Sequence, residues 1–460
     1  MLLLPVELKR LCVGSLDDDA DALKQLRLVN HEIGALATEV LFHTAVLNPT
    51  DDSAKILAAL EHSKFRRDVK CVIINDFNFE AEEYDLDESP EELEVTESYS
   101  EALASLCKFE NLQELRLKFA VDCAAELDDS YDDGTRPVSQ TVEYRSTILS
   151  IICKAIEGLE KLRNLSIRDL QDHMDRQILE SESFRSIKGR LTSLHLQINT
   201  EDHVYASDYA ASHRGFSVDL PELWLMPVLP HLTRLTLYSY TCMWGLYPFV
   251  DFRKIGTFPC LESLSFGNWT IAHDWQIDWI LSHGSTLKEL LFHDCPIIPA
   301  LRMAKRKEDN MASLNFPLLE AEGPDVWGDY FTLVTLRWHQ VFDRFRSDLS
   351  HLEHFALRCT DTSGLNDCWS PDDFDHRYTL TNSLRNTSYH FFDGQCIVPG
   401  RGSVPQWVDP SPEKRAHKFD RVWCHPKPSI EVEFPECGEE DAEALRRLMK
   451  TVNKRGSTRV

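Results

Sequence analysis

The stretch LTRLTL at residues 232–237 carries the pattern that decides how this chain folds. A leucine is followed by two variable residues, an apolar residue, one variable residue and a further apolar residue, and we call this six-residue pattern the leucine motif. Its seven copies read LQELRL (112–117), LRNLSI (162–167), LTSLHL (191–196), LTRLTL (232–237), LESLSF (261–266), LKELLF (287–292) and LEHFAL (352–357). The last two apolar positions are two residues apart, so they face one side of a short β-strand. One such strand cannot bury that face alone, and the recurrence therefore predicts stacked repeats.

Helical spacing separates the copies of the motif. Apolar residues recur three and four positions apart in residues 145–158, 273–282 and 330–346. The closest copies start 26 and 29 residues apart (261 to 287 and 232 to 261), within the range of about 20 to 29 residues that is typical of leucine-rich repeats. We therefore expect an α/β fold in which residues 46–360 form an irregular leucine-rich-repeat solenoid. Residues 361–460, with a helical pattern at 439–452, are expected to form an irregular C-terminal cap.

Two further segments complete the predicted organisation. Residues 69–74 have the spacing of the motif in β-branched residues and predict a strand upstream of the first copy. Residues 76–97 and 128–141 are rich in Asp and Glu, and their self-repulsion predicts acidic loops. Aromatic residues at 238–258 predict either an insertion packed on the repeats or a pocket for a peptide side chain.

Composition limits the class of protein. The chain has 75 Asp and Glu against 49 Lys and Arg, a net charge of -26, which disfavours non-specific binding to nucleic acid or to an anionic membrane. Its 13 cysteines include no CxxC pair and predict reduced core residues in place of a disulfide framework. No apolar stretch approaches the roughly 18 residues that span a bilayer. These features favour a protein of the cytoplasm or the nucleus, or both.

Signals for catalysis are weak. The sequence has no GxSxG elbow, no GxxxxGK[ST] phosphate loop, no GxGxxG after a strand and no HExxH zinc motif. His351 and His354 stand three residues apart, but no cysteine or carboxylate accompanies them in a recognised order, so they favour surface histidines over a metal site. We therefore expect a binding protein with no catalytic residues, no metal and no cofactor.

The first 45 residues differ from the repeats. They begin LPVEL at residues 4–8 and continue with LKQLRLVN at residues 23–30, and the spacing favours short amphipathic helices. Pro5 suits a first helical turn. This order of an opening leucine-proline, an acidic residue and then a leucine-rich helix with a valine resembles the F-box. With leucine-rich repeats after it, the chain resembles the F-box and leucine-rich-repeat proteins that are common in filamentous fungi.

The resemblance implies a function. In that family the F-box docks on the Skp adaptor of a cullin-RING (SCF-type) ubiquitin ligase, and the remainder captures a target protein. The chain itself would then be a non-catalytic substrate receptor, with the adaptor and the cullin scaffold as partners. The docking positions that the resemblance implies are Leu4, Pro5, Leu8, Leu11, Leu26, Leu28, Val29 and Leu36.

Basic residues are enriched at the motif positions that point away from the predicted core. Arginine suits bidentate capture of carboxylate or phosphate groups, so this side of the strands predicts a site for an acidic or phosphorylated segment of the target. The alternative is a chance excess on a solvated face. The predicted target-binding residues are Arg116, Lys118, Arg168, His195, Arg234, Tyr238, His293 and Arg358.

A second class of function stays open at this point. The chain could be a leucine-rich-repeat scaffold or recognition protein with no ubiquitin ligase role, in which the first 45 residues only cover the first repeat. The two hypotheses differ in one structural feature. Docking requires Leu4, Pro5, Leu8 and Val29 to be exposed together, whereas a cover would bury them against residues 69–74.

Overall fold

The structure is a computed structural model that describes a defined part of the chain. The described residues are 4–17, 19–77, 93–121, 123, 140–173, 175–199, 215–239, 244–246, 248–303, 319–320, 330–358, 384, 388–390, 392–393 and 435–457. The chain divides into two compact units. Unit 1 comprises Met1–Leu170 and Asp175–His195, and unit 2 comprises Gln171–Met174 and Leu196–Val460.

Helices occur in both units. Those of unit 1 are α1 Val6–Gly14, α2 Ala20–Leu26, α3 His31–Leu41, α4 Asp51–His62, α5 Glu97–Ala104, α6 Val142–Ile156, α7 Arg176–Leu179 and α8 Glu182–Lys188. Those of unit 2 are α9 Met226–Val228, α10 Asp274–Leu281, α11 Trp338–Asp348 and α12 Gly438–Ser457, with a π-helical segment at Gly215–Leu225. Short 3-10 turns cover Lys64–Arg67, Ser105–Lys108 and Phe252–Lys254. Within the described residues, no helix combines the length and the hydropathy needed to cross a membrane.

The strands form two sheets. The first is a nine-stranded parallel sheet whose strands follow one another in chain order: β1 Thr44–Leu47, β2 Cys71–Asn75, β3 Glu114–Lys118, β4 Asn164–Gln171, β5 Ser193–Asn199, β6 Arg234–Ser239, β7 Ser263–Gly267, β8 Glu289–His293 and β12 His354–Arg358. The second is a four-stranded sheet in the order β10 Leu319–Glu320, β11 Tyr330–Leu333, β9 Ala300–Met303 and β13 Phe392–Asp393.

All seven leucine motifs end in strands of the nine-stranded sheet. Their apolar positions lie opposite one another in neighbouring strands. In unit 1 Leu115 pairs with Leu165, and in unit 2 Leu264 pairs with both Leu235 and Leu290. These leucines are buried, as is the first leucine of every copy. Burial of one such side chain contributes about 1.5–3 kcal/mol, which accounts for the recurrence of the motif.

The predicted leucine-rich-repeat solenoid with a C-terminal cap is wrong. The chain forms an α/β fold in which helices accompany a nine-stranded parallel sheet, and a separate small sheet is present that the repeat pattern did not predict. The solenoid prediction required one solvated face on every strand. Instead, all five residues of β7 are buried, as are four of the five in β8. Burial on both faces is the rule for parallel sheets in α/β proteins.

Three strands carry a residue of left-handed backbone conformation at equivalent positions, within β4 and directly after β7 and β8. Asp169, Asn268 and Asp294 have φ values of 56°, 52° and 50°, and each lies seven residues after the first leucine of its motif (162 to 169, 261 to 268 and 287 to 294). Asp and Asn tolerate this conformation because their short polar side chains can hydrogen-bond locally. In unit 2 the Asn268 side chain donates to the Ser239 carbonyl oxygen at 2.7 Å.

Other predictions had mixed outcomes. The helices predicted at 145–158 and 273–282 are α6 and α10, and the strand predicted at 69–74 is β2. The predicted helix at 330–346 is wrong in its first part, because Tyr330–Leu333 is a strand and the helix begins at Trp338. Residues 78–92 and 128–139 of the acidic segments lie outside the described residues. Asp76, the first residue of one segment, is fully buried and does not belong to a solvated loop.

Aromatic side chains at 244–258 pack inside unit 2. Trp244, Phe252 and Phe258 are buried, and the Trp244 indole donates to the Gly267 carbonyl oxygen at 2.8 Å. The Phe252 ring lies 4.5 Å from the ring of Trp279 of α10. This arrangement matches the packed insertion of the two predicted alternatives. Tyr240 and Tyr247 lie outside the described residues.

Candidate functional site

Helices α1, α2 and α3 share a small apolar cluster in unit 1. Its buried members are Val13, Leu23, Leu36 and Ala37, and its partly buried members are Leu16, Leu26, Val40 and Leu41. Each of the three helices contributes to this cluster, so each packs one face against the others. The local fold of residues 6–41 therefore uses only a part of its leucines.

Local signals fix the ends of α2 and α3. The Asp19 side chain accepts from the Ala22 backbone N–H at 2.8 Å, and the Asn30 side chain accepts from the Ile33 N–H at 2.9 Å. Such N-caps typically stabilise a helix by about 1 kcal/mol. Gly34 permits a close approach, because a Cβ at that position would lie 2.8 Å from the Arg27 carbonyl oxygen.

Ion pairs hold α1 against α3. The Lys9 ammonium is nearly buried and lies 2.7 Å from Glu32, whereas the Arg10–Glu39 pair at 3.1 Å is more exposed. Lys70, just before β2, lies 3.0 Å from Glu39. The hydrogen bond from Lys70 lowers the pKa of Glu39 below its ordinary value. These contacts orient one polar edge of α1 and leave its other face uncovered.

The uncovered face of α1 is apolar. Leu8 and Leu11 are three residues apart on one side of α1, and Leu4 lies just before the helix, four residues from Leu8. All three are exposed, Leu11 to 69%. Lys9 and Val13 occupy the opposite, buried side. The amphipathic pattern of α1 thus presents a row of leucines to solvent.

The turn after α2 exposes two more apolar side chains. Leu28 is 81% exposed and Val29 is 61% exposed. Their backbone N–H groups donate to the carbonyl oxygens of Gln25 and Leu26 at 3.0 and 3.2 Å, so the turn itself is ordered by hydrogen bonds. Exposed apolar residues in this number are typical of surfaces that bind another protein. We call Leu4, Leu8, Leu11, Leu28 and Val29 the apolar docking residues.

The predicted adaptor-binding residues divide into two groups. Pro5 and the five apolar docking residues are exposed, whereas Leu26 is half-buried and Leu36 is buried in the shared cluster. Val6 is also exposed, a residue that the sequence analysis did not select. Helical spacing could have identified the role of Leu36, because it lies on the same face of α3 as Ile33 and Ala37, which are both buried.

The predicted target-binding residues are mostly buried. Lys118, Arg168 and His195 in unit 1 and Tyr238 and His293 in unit 2 have little contact with solvent.

Specific contacts accompany this burial in each unit. The Lys118 ammonium lies 4.4 Å from the centroid of the Phe77 ring. The Tyr238 ring occupies the space that a side chain at Gly267 would need. Burial lowers the pKa of His293 below its ordinary value.

Three of the eight predicted target-binding residues reach solvent. Arg116 in unit 1 is partly exposed and lies 2.7 Å from Glu114. In unit 2 Arg234 is exposed at the start of β6, and Arg358 is half-buried at the end of β12. These are the three positions where an acidic segment could be contacted without rearrangement of the strands.

Strand register places Arg234 in a polar row within unit 2. Arg234 pairs with Ser263, Ser263 with Glu289 and Glu289 with His354. The Ser263 hydroxyl donates to Glu289 at 2.6 Å, and His354 Nδ1 lies 2.8 Å from the other oxygen of the same carboxylate. Glu289 is therefore engaged by two neighbours in this row.

A buried carboxylate stands at the end of β2 in unit 1. Asp76 accepts hydrogen bonds from the Tyr99 and Tyr144 hydroxyls at 3.1 and 3.0 Å. Burial raises the pKa of Asp76 to about 7, although the two hydroxyls and the charge of Arg145 act in the opposite direction. These two hydrogen bonds link the end of β2 to α5 and α6.

Comparison with known proteins gives no assignment. The chain matches no protein-family model, and no curated protein matches it.

Proposed function

We propose that this chain is the substrate-binding subunit of a cullin-RING (SCF-type) ubiquitin ligase, and that α1–α3 dock on the Skp adaptor. The proposal rests mainly on the exposure of the apolar docking residues, which lie on α1, just before it and in the turn after α2, while α1–α3 share a core of their own. The sequence of residues 2–42 resembles the F-box, and its implied contact positions lie mainly at the surface. The alternative role as a cover would bury Leu4, Pro5, Leu8 and Val29, and all four are exposed.

Burial on a partner would stabilise this arrangement. Full burial of one leucine side chain contributes about 1.5–3 kcal/mol, so three leucines and two neighbouring apolar residues are sufficient for a specific interface when shape is complementary. The ion pairs of Lys9 and Arg10 hold α1 in place before docking. A surface that is ordered in advance loses less conformational entropy on binding.

The chain would contribute proximity in the ligase, without catalysis of its own. It would hold a target protein near a transferring enzyme carried by other subunits, in the cytoplasm or the nucleus. Within unit 2, target capture would use the accessible basic residues Arg234 and Arg358, which suit an acidic or phosphorylated segment. The buried members of the predicted target-binding set would support the strands and make no contact with the target.

Affinity purification tests the proposal. The intact chain is compared with a variant carrying Leu4→Ala, Leu8→Ala and Leu11→Ala, and with a control carrying Ile56→Ala, which removes an exposed apolar side chain from α4. The Skp adaptor and the cullin should be recovered with the intact chain and the control and be absent with the triple variant.

Two outcomes would contradict the proposal. If neither the adaptor nor the cullin is recovered with the folded intact chain, a recognition protein with no ligase role is favoured. If the triple variant recovers both as well as the intact chain does, α1 is not the docking element. Circular dichroism of each variant establishes that it is folded.

A further inference from the structure

Within the described residues of unit 2, three side chains of different metal-ligating types converge. His339 is the second residue of α11, Cys437 precedes α12, and Asp441 lies in the first turn of α12. One ligand atom from each, a nitrogen, a sulfur and an oxygen, lies within 4.8 Å of the others. His339 and Asp441 are 102 positions apart in the chain, so a local sequence motif does not predict the cluster.

The distances suit a single small cation. Cys437 Sγ lies 3.4 Å from Asp441 Oδ2, and His339 Nδ1 lies 2.9 Å from Asp441 Oδ1. At a tetrahedral zinc ion, a nitrogen and an oxygen ligand each about 2.05 Å from the metal are about 3.3 Å apart, and a sulfur about 2.3 Å from the metal is about 3.6 Å from an oxygen ligand. The sulfur and the oxygen of the cluster are therefore within about 0.2 Å of the spacing of zinc ligands. Metal binding would replace the His339–Asp441 hydrogen bond and widen that pair by a few tenths of an ångström.

Neighbouring groups orient the carboxylate. The Tyr389 hydroxyl donates to Asp441 Oδ2 at 2.6 Å, and the backbone N–H of His339 donates to Oδ1 at 2.7 Å. The Tyr389 oxygen in turn accepts from the Trp338 N–H at 2.9 Å. Hydrogen bonds of this kind hold metal ligands in place in known zinc sites. Asp441 is buried, whereas the half-buried His339 gives solvent access to the cluster.

We propose that His339, Cys437 and Asp441 bind a zinc ion, with water as the fourth ligand on the solvent side. A mixed set of one imidazole, one thiol and one carboxylate suits zinc, whereas calcium and magnesium prefer oxygen ligands alone. Binding forms a zinc–sulfur bond, and the proton of the Cys437 thiol passes to water.

The ion would fasten the C-terminal helix α12 to α11. Other contacts already join these helices: Arg447 lies 3.1 Å from Asp343, and Arg455 donates to the carbonyl oxygens of Arg346 and of Leu349, the residue after α11, at 3.1 and 2.7 Å. The first contact is exposed and contributes little. The site adds a clamp at the other end of the helix pair, where α12 begins, and zinc should therefore stabilise unit 2.

Zinc content of the full chain tests this proposal. The intact protein, Cys437→Ser and the control Cys260→Ser are incubated with zinc chloride, freed of loose metal and measured by mass spectrometry of the metal. Cys260 is an exposed cysteine of the same unit. We expect about one zinc ion per chain that is present in the intact protein and the control and is lost in Cys437→Ser. Removal of zinc should lower the melting temperature of the intact protein and leave that of Cys437→Ser unchanged.

Two results would overturn the zinc site. One is an intact protein that binds no zinc, and the other is a Cys437→Ser variant that retains the same zinc as the control. If Cys437→Ser fails to fold, cobalt(II) titration of the intact chain decides, because a thiolate ligand gives a sulfur-to-cobalt absorption band. Tyr389→Phe should weaken zinc binding about ten- to hundredfold, since it removes a hydrogen bond that orients Asp441.

Discussion

Leucines serve opposite purposes in two regions of this molecule. In the strands of the leucine motif they are buried, as Leu235, Leu264 and Leu290 show in unit 2. In α1 and in the turn after α2 they are exposed, as Leu11 and Leu28 show. The difference lies in what each region can cover by itself. A strand in a parallel sheet has neighbours on both faces, whereas three short helices with one shared cluster cover only one face of each helix.

This contrast separates stability from binding. Side chains in the strand region should contribute to the free energy of unfolding, and the apolar docking residues should contribute to partner affinity. Substitutions of the same chemical type in the two regions therefore test the assignment of each.

The largest effect on stability is expected for Leu264→Ala. Leu264 is fully buried in β7 between two leucines of adjacent strands, so its truncation removes buried apolar contacts and leaves a cavity. The free energy of unfolding should fall by about 2–5 kcal/mol in denaturant titration. The matched Leu11→Ala change should alter it by no more than about 0.5 kcal/mol. Equal losses in the two variants would remove the distinction between the regions.

A pH dependence of stability is expected from Asp76. The pKa of this carboxyl is raised to about 7 in the folded chain, above its ordinary value of 3.8. Between these two pH values the folded state holds a proton that the unfolded state has released. The contribution of this carboxyl to the free energy of unfolding is therefore largest below about pH 4 and declines as the pH rises to about 7. The decline should be on the order of a few kcal/mol.

Asp76→Asn should remove that decline. The amide oxygen can still accept from Tyr99 and Tyr144, while the side chain stays neutral at every pH. The measurement is the free energy of unfolding between pH 4 and 8, with the exposed Asp17→Asn as control. If the free energy of unfolding of Asp76→Asn declines with pH as that of the intact chain does, this carboxyl does not cause the decline.

A smaller effect is expected for Glu32→Gln in the N-terminal helices. The change leaves the nearly buried Lys9 ammonium without its charged partner, and stability should fall by about 1–2 kcal/mol. The decrease in stability should be smaller than the one that follows the breaking of a fully buried ion pair, because Glu32 is half-exposed. Asp21→Asn, which breaks the exposed Asp21–Lys24 pair, serves as the matched control and should cost less than about 0.5 kcal/mol. Thermal unfolding that gives the same loss for both would contradict the ordering of α1 by Lys9.

The sequence predicted the strands well because the leucine motif reports burial directly. The variable positions between the apolar residues of the motif do not report burial in this way. Thr236, Ser263 and His195 are polar and look solvated in sequence, yet all three are buried. Polar residues of this size fit beneath a covering layer when they find hydrogen-bond partners, as Ser263 does with Glu289. What covers a strand depends on segments distant in the chain, and so the solenoid prediction was wrong.

The candidate site shows the same limit. The resemblance to the F-box selected Leu4, Leu8 and Leu11, and all three are exposed. The same resemblance also selected Leu36, which is buried with Ile33 and Ala37 on one face of α3, because positions transferred by resemblance carry no information on which of them form the core of the helices. The zinc ligands are further apart still, and only the packing of α12 on α11 brings them together.

Direct titration of the purified chain with purified Skp adaptor tests the central claim, that exposed leucines of α1 are a docking surface. The account predicts saturable binding by the intact chain and by Ile56→Ala. It predicts at least about 100-fold weaker binding by the Leu4→Ala, Leu8→Ala and Leu11→Ala variant, since about 1 kcal/mol or more is lost at each position and each 1.4 kcal/mol is tenfold. The same affinity for the folded triple variant, or no binding by the intact chain, would contradict it.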